Sequence, residues 1–463
     1  MIKILYKPKI KWLKLLIPLL ITLPPSGILL TKTLFKQDIP SSYRYQFTEK
    51  IPGTTDTTKL IINEITFYKE RNQVQPDSGL NHAALAKAYL KLARATGQNS
   101  WYLLAETTAQ RSLQLLPFDN NSAIIVLART AQAQHNFTEA LRLSEQVLKS
   151  QPSNEDALSI IATSNLAMGK LDTARKAAYL LVQRIPSQAS LTLQALVQTA
   201  QGQNSTAIDT FKSALAVEEA GENGTSAWTR VALGRVYYKQ GELELAGGLY
   251  REALRILPKY PLAILHLAEL ETRRGNYGAA ENYYNQIRVY SPGASTTFDH
   301  AVLHGKAKIK QLQSDEKSAD VLFTEAETLL RQENSQEKSS INGSFGHRRE
   351  LARLLLERGQ PKDVTEALLL MQTEVKIRRD AQTLDTLAWA LLRNRKNKEA
   401  QKTIQEALQL GTRDAEILYR AATIEKALLN NAQAMEYEQQ IKAIDPSFDT
   451  QAKRISGIDY LGF

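Results

Sequence analysis

The sequence predicts an all-helical protein built as an α-solenoid of helix–turn–helix repeats, preceded by an apolar N-terminal helix. Two observations support this prediction. Landmark residues recur at a fixed spacing of 34 residues, and a short uncharged stretch follows a cluster of lysines near the N-terminus. A repeat of this length accommodates two short helices and a turn, and it must stack on its neighbours to bury its apolar faces.

The clearest repeat unit spans residues 227–260. Its turn glycine is followed by a small residue, an aromatic residue and a closing proline. A residue near the left-handed region ends the first helix, the small residue lets the two helices approach closely, and the proline stops the second helix. The next unit carries the same four landmarks 34 residues later: Gly241 and Gly275, Ala246 and Ala280, Tyr250 and Tyr284, Pro258 and Pro292.

These landmarks resemble those of the tetratricopeptide repeat. The unit at 227–260 has most of that family's pattern, but Arg230 stands where the family has a tryptophan. The resemblance extends over about ten units, and it implies a right-handed solenoid whose first helices line a concave groove. The stretch from Leu384 to Asp449 also resembles the last repeats of bacterial envelope tetratricopeptide proteins, which implies an exported, membrane-anchored protein.

Residues 1–36 are predicted to be a signal anchor or a signal peptide. Five lysines precede an uncharged run from Leu15 to Thr31, which is the pattern of both. Because no small-residue cleavage site follows, we favour a retained single-pass anchor in the cytoplasmic membrane, with the N-terminus in the cytoplasm and the repeats outside. A cleaved signal would instead leave a secreted or periplasmic protein.

The rest of the chain is predicted to divide into four parts. Residues 37–76 are rich in Pro, Ser and Thr and are assigned to a spacer with one short helix. A polar stretch then interrupts the repeats and separates two arms. The predicted parts are the spacer at 37–76, a first arm of about seven repeats at 79–333, a polar loop at 334–346, and a second arm of about three repeats plus a C-terminal cap at 347–463.

Charge and motifs favour a binding function over catalysis. The formal net charge is +10, but the first 50 residues hold nine basic and two acidic residues, so the remaining chain is nearly neutral and nucleic-acid binding is not predicted. The chain has no cysteine. No catalytic motif, cofactor site or metal site is predicted. His300 and His304 stand at the i, i+4 spacing of a zinc pair but lack the adjacent glutamate of a zincin.

The resemblance implies which side chains face the groove. The family's groove positions carry a basic and aromatic set here, which suits an acidic or carboxylate-bearing peptide, because arginine binds carboxylates through two parallel hydrogen bonds and aromatic rings supply contact area. The candidate groove residues are Arg129, Trp228, Arg235, Tyr238, Lys239, Arg273, Arg349, Arg353, Trp389, Arg393 and Tyr419.

The preferred interpretation is a membrane-anchored scaffold that binds a partner protein or peptide in this groove and contacts the lipid bilayer through its N-terminal segment. Two alternatives stay open. The chain could be an accessory or assembly factor for envelope or exopolysaccharide secretion, with a glycan ligand and exposed Trp and Tyr in the groove. Less favoured is a metal-binding protein or enzyme subunit built around His300 and His304.

Overall fold

The computed structural model describes residues 39–47, 57–287, 296, 298–335 and 347–448. These residues form 21 α-helices and one 3-10 turn. Apart from an isolated bridge between Gln98 and Thr296, this part of the chain contains no β-structure. The predicted all-helical, tetratricopeptide-like solenoid is therefore confirmed. The predicted N-terminal apolar helix lies outside the described residues, and none of the described helices is long and apolar enough to span a bilayer.

One helix precedes ten antiparallel helix pairs, and each pair consists of a first and a second helix. In chain order the helices are α1 (Thr57–Val74), α2 (Gly79–Thr96), α3 (Asn99–Leu115), α4 (Asn121–Ala133), α5 (Phe137–Ser150), α6 (Glu155–Ala167), α7 (Leu171–Arg184), α8 (Gln188–Ala200), α9 (Asn204–Ala216), α10 (Asn223–Lys239), α11 (Leu243–Ile256), α12 (Pro261–Arg273), α13 (Tyr277–Gln286), α14 (Asp299–Leu312), α15 (Glu316–Ser335), α16 (Arg348–Arg358), α17 (Pro361–Glu374), α18 (Ala381–Arg393), α19 (Asn397–Gln409), α20 (Ala415–Ala427) and α21 (Asn431–Ile444).

The first helices line the concave side of the solenoid. In all ten pairs the turn after the first helix contains a residue with positive φ, which is glycine in six of them and a non-glycine residue such as His135 in the others. Successive first helices, for example α4, α6 and α8, pack against one another, whereas successive second helices make at most marginal contact. Close spacing of the first helices and wide spacing of the second helices bends the stack around the first helices.

The solenoid closes on itself along a line of contacts that we call the seam. The turn within each of the first five pairs meets the loop that lies six pairs further along the chain. About six pairs therefore complete one superhelical turn, and the next turn rests directly on it. The seam joins Gln98 to Thr296, His135 to His347, Met168 to Arg379 and Ala200 to Thr412, and it brings Gly241 against Asp445.

Two stretches depart from the sequence prediction. Residues 39–47, assigned to a spacer, form a short segment that we call the strap, which docks against α9, α10 and α11. Helix α15 continues to Ser335 because Arg331 near its end pairs with Glu327 and, at 2.6 Å, with Glu366 of α17. Residues 334 and 335 of the predicted polar loop are thus helical. The rest of that loop and the predicted C-terminal cap lie outside the described residues.

Candidate functional site

All eleven candidate groove residues lie on first helices, the helices that line the concave side. Arg129 is on α4, and four candidates including Trp228 are on α10. The others are on α12, α16, α18 and α20. The structure shows the partner of each side chain. These partners matter because a charge that is already paired within the chain is less available to a ligand than one that faces solvent.

Two arginines on the first helices α10 and α12 lie against the ring of one tyrosine. The guanidinium carbons of Arg235 and Arg273 lie 4.8 Å and 5.1 Å from the ring centroid of Tyr238. Arg235 Nη1 donates to both carboxylate oxygens of Glu269 at 2.9 Å, and His266 Nδ1 lies 3.2 Å from the same carboxylate. Burial alone would raise the pKa of Glu269, but Arg235 and His266 outweigh it and hold that pKa below its ordinary value.

Two of the candidate cations hold the seam together. Arg273 Nη2 donates to Asp445 Oδ2 at 2.5 Å, and both side chains are almost fully buried. Lys239 Nζ lies 3.0 Å from Asp414 Oδ2 and 3.4 Å from Glu416 Oε2. Because these carboxylates come from the last helix pair and the turn after it, Lys239 and Arg273 join successive turns of the superhelix.

Three further candidate arginines also have carboxylate partners in the chain. Arg129 lies 3.2 Å from Asp156 and donates to Ser159 at 2.6 Å, and burial lowers the pKa of its guanidinium. Arg349 lies 3.3 Å from Asp380, and Arg353 lies 4.0 Å from Glu416. An acidic ligand would therefore have to displace carboxylates that these arginines already bind.

The aromatic candidates and one arginine remain partly accessible. Trp228, Trp389 and Tyr419 are each half-buried, while Arg393 is exposed. The Arg393 guanidinium donates to the backbone carbonyls of Leu356 and Gly359, both at 3.3 Å. The accessible part of the candidate groove is therefore more aromatic and less cationic than the sequence pattern predicted.

Trp389 belongs to a further stacked arrangement. The guanidinium carbon of Arg420 lies 4.2 Å from the Trp389 ring centroid, and Arg420 Nε donates to Asp385 at 3.2 Å. Burial raises the pKa of Asp385 despite the neighbouring Arg420. One face of Trp389 is thus covered by a paired cation.

The sequence pattern did not lead us to predict the carboxylate partners of the candidate cations, although the repeat spacing indicates one of them. Arg235 and Glu269 are 34 residues apart, so they occupy the same position in adjacent repeats and must lie side by side. The pairing of Arg273 with Asp445 spans 172 residues and depends on closure of the superhelix. No local pattern indicates it.

The two histidines at i, i+4 take different partners. His304 Nε2 lies 3.0 Å from Glu357, which also binds Lys308 at 2.9 Å. His300 packs against His347 with ring centroids 4.7 Å apart. Burial, aided by His347, lowers the pKa of His300 to about 3, and burial lowers that of His347 to about 4 despite the nearby Glu350. Within the described ranges, no group of three or more acidic or histidine side chains is arranged to hold a metal ion.

Stacked helix pairs with one concave side define the class of helical-repeat solenoids. Within that class, residues 125–190 and 231–295 match one model of the tetratricopeptide repeat, and residues 187–259 match a second. The middle of the chain therefore consists of tetratricopeptide repeats, which generally mediate protein–protein interaction. No curated protein matches this chain.

Several solved structures are similar to this chain at low identity. They include the APC/C Cut9–Hcn1 hetero-tetramer (16% identity, TM-score 0.45, covering 81% of this chain and 62% of that one), the human IFIT1 dimer with PPP-AAAA (15%, 0.45, 83% and 86%) and a thermophilic tetratricopeptide repeat protein of Thermus thermophilus (23%, 0.36, 44% and 98%). This chain thus spans less than two thirds of the matched APC/C chain.

Proposed function

We propose that this protein is a non-catalytic scaffold that binds an extended segment of a partner protein along its concave side. The supporting observation is that the concave side keeps Trp228, Trp389 and Tyr419 partly accessible, while most candidate cations are neutralised within the chain. Aromatic side chains provide large contact area with little loss of conformational entropy. The partner would therefore make mainly aromatic contacts, with Arg393 as an accessible positive charge.

We further propose that residues 1–36 anchor the scaffold in the cytoplasmic membrane, with the repeats outside. Support comes from the basic flank and the uncharged run of the sequence. Residues 32–38 reach at most about 25 Å when fully extended. Because the strap docks between the fourth and fifth helix pairs, an anchor at residues 15–31 would hold the solenoid near its middle.

The test is a crosslinking pull-down of the full tagged chain from native membranes, followed by mass spectrometry. Charge reversal at Arg235 or Arg273 is unsuitable, because each forms a buried ion pair and Arg273 also holds the seam. Arg393→Glu changes an exposed concave residue instead. The matched control is Arg175→Glu, an exposed arginine on the second helix α7.

A partner protein that is lost with Arg393→Glu and kept with Arg175→Glu is the expected result. Retention of the chain in carbonate-washed membranes is expected for an anchored protein. If both variants keep the same partner, binding lies outside the concave side. Release of the chain by carbonate would contradict the anchor.

A role in envelope or exopolysaccharide secretion is the second candidate. The partial exposure of Trp228, Trp389 and Tyr419 favours it, because aromatic rings stack on sugars. Bound glycan without a protein partner in the same pull-down would support this role over the peptide scaffold.

A further inference from the structure

The strap fills a gap at the joint between the fourth and fifth helix pairs. Residues 217–222 connect α9 to α10 across this joint. Ile39, Tyr43 and Tyr45 of the strap are buried in the gap, and most residues between them are exposed. The strap is thus bound through three side chains that point into the solenoid.

Side-chain recognition centres on the two tyrosines. Tyr43 Oη lies 2.6 Å from Tyr237 Oη, and Tyr45 Oη donates to Asn223 Oδ1 at 3.0 Å. Ile39 and Tyr43 join the largest apolar cluster of the solenoid. A buried tyrosine needs both an apolar surface for its ring and a partner for its hydroxyl. The gap supplies both for Tyr43 and for Tyr45.

The backbone of the strap is also recognised by side chains of the repeats. Arg230 Nε donates to the Tyr43 carbonyl at 2.9 Å, and Arg255 Nη2 donates to the Tyr45 carbonyl at 3.0 Å. The Tyr45 N–H donates to Glu252 Oε1 at 2.9 Å. Hydrogen bonds to the main chain combined with pockets for spaced side chains are how proteins recognise extended peptides.

Arg230, the residue that departs from the repeat pattern, lines this gap. It is fully buried at the position where the family has a tryptophan, and it forms two hydrogen bonds with Glu218 of the connection 217–222, at 2.5 Å and 3.0 Å. A buried guanidinium is tolerated only when its N–H groups have acceptors. The strap carbonyl is one of those acceptors, so Arg230 is placed to bind the strap.

We propose that this gap is a peptide-binding site for short segments in which an aliphatic residue is followed by tyrosines at the fourth and sixth positions after it, and that the strap, which makes a 3-10 turn at Ser41–Tyr43, is its ligand in cis. The strap lies outside every helix pair, so the site is built entirely by repeat residues. A partner segment with the same spacing of side chains would bind by replacing the strap. A tethered ligand has an effective concentration in the millimolar range, so the wild-type chain resists such replacement.

Complementation in trans tests the proposal. A fluorescent peptide with the sequence of residues 38–48 is titrated against the full wild-type chain and against the full chain carrying Tyr43→Ala and Tyr45→Ala. Fluorescence anisotropy is expected to show at least about tenfold tighter binding to the variant, whose own strap is weakened. A peptide with both tyrosines replaced by alanine should not bind. Adding Glu252→Gln to the variant chain should weaken binding of the intact peptide.

Equally weak binding of the peptide to both chains, with circular dichroism showing the variant folded, would overturn the proposal. If the variant does not fold, hydrogen exchange of the wild-type chain decides. Exchange of the Tyr45 amide well before that of the helices supports a separable ligand. Exchange only together with global unfolding contradicts it and makes the strap an integral part of the core.

Discussion

The seam and the strap are two contacts between distant parts of the chain, and they are built from different chemistry. A simple repeat stack has contacts only between neighbouring repeats. The seam is polar, formed by backbone groups and ion pairs such as Arg273 with Asp445. The strap buries Ile39, Tyr43 and Tyr45 against the main apolar core. Because their chemistry differs, we expect that disrupting the strap joint lowers stability, whereas disrupting the seam opens the superhelix.

The largest effect is expected from removing the carboxylate beside the strap. Glu218→Ala would leave the fully buried Arg230 without its main acceptor, which typically costs about 3–5 kcal/mol. Urea unfolding measures the loss. The matched control is Glu139→Ala, which breaks an exposed pair with Arg142 and should cost under about 1 kcal/mol. Similar losses in both variants would mean that the strap joint adds no particular stability.

The next prediction concerns the seam, and two glycines make it a controlled comparison. Gly202 and Gly275 both end first helices with positive φ, so alanine costs each about 1–2 kcal/mol of backbone strain. A Cβ at Gly202 would clash with the Gly411 carbonyl across the seam, whereas a Cβ at Gly275 meets no atom within 4 Å. Gly202→Ala should therefore open the seam, and Gly275→Ala should leave it closed.

Crosslinking reports on the seam directly, because the chain has no native cysteine. Cysteines at Met168 and Arg379, whose backbones are joined by a 3.2 Å hydrogen bond, should be linked efficiently by a short bismaleimide. The yield is expected to fall several-fold with Gly202→Ala and to stay unchanged with Gly275→Ala. An unchanged yield in both would show that the seam tolerates the clash.

The smallest effect is a dependence of the closed state on pH. His347 lies at the seam, and its pKa of about 4 is set first by burial, then by Glu350, His135, Arg378 and Arg349. Its ordinary pKa is 6.5, so between pH 6.5 and about 4 the unfolded chain binds more protons and stability falls as the pH falls. The contribution of His347 to this loss between pH 7 and pH 5 is about 2 kcal/mol. Urea midpoints should show it, and His347→Gln should reduce the slope.

The sequence by itself determined the repeat architecture and the helices that carry the candidate site. Both follow from local rules, since periodic apolar positions, small residues at close approaches and turn residues act within one repeat or between adjacent ones. For that reason Arg235 and Trp389 were correctly assigned to first helices. The 34-residue spacing was also sufficient to predict that Arg235 and Glu269 lie side by side.

Only the tertiary structure decided which cations stay accessible, where the superhelix closes, and where the strap binds. Closure depends on the rotation between successive repeats added over six pairs, and a sequence pattern does not specify that rotation. The sequence pattern therefore does not indicate that Arg273 pairs with Asp445, which is 172 residues away. Arg230 was the one feature of the sequence that indicated an unusual environment at the strap. Its role became clear only from its hydrogen bond to the buried carbonyl of Tyr43, because a charge is buried only where the fold supplies partners for it.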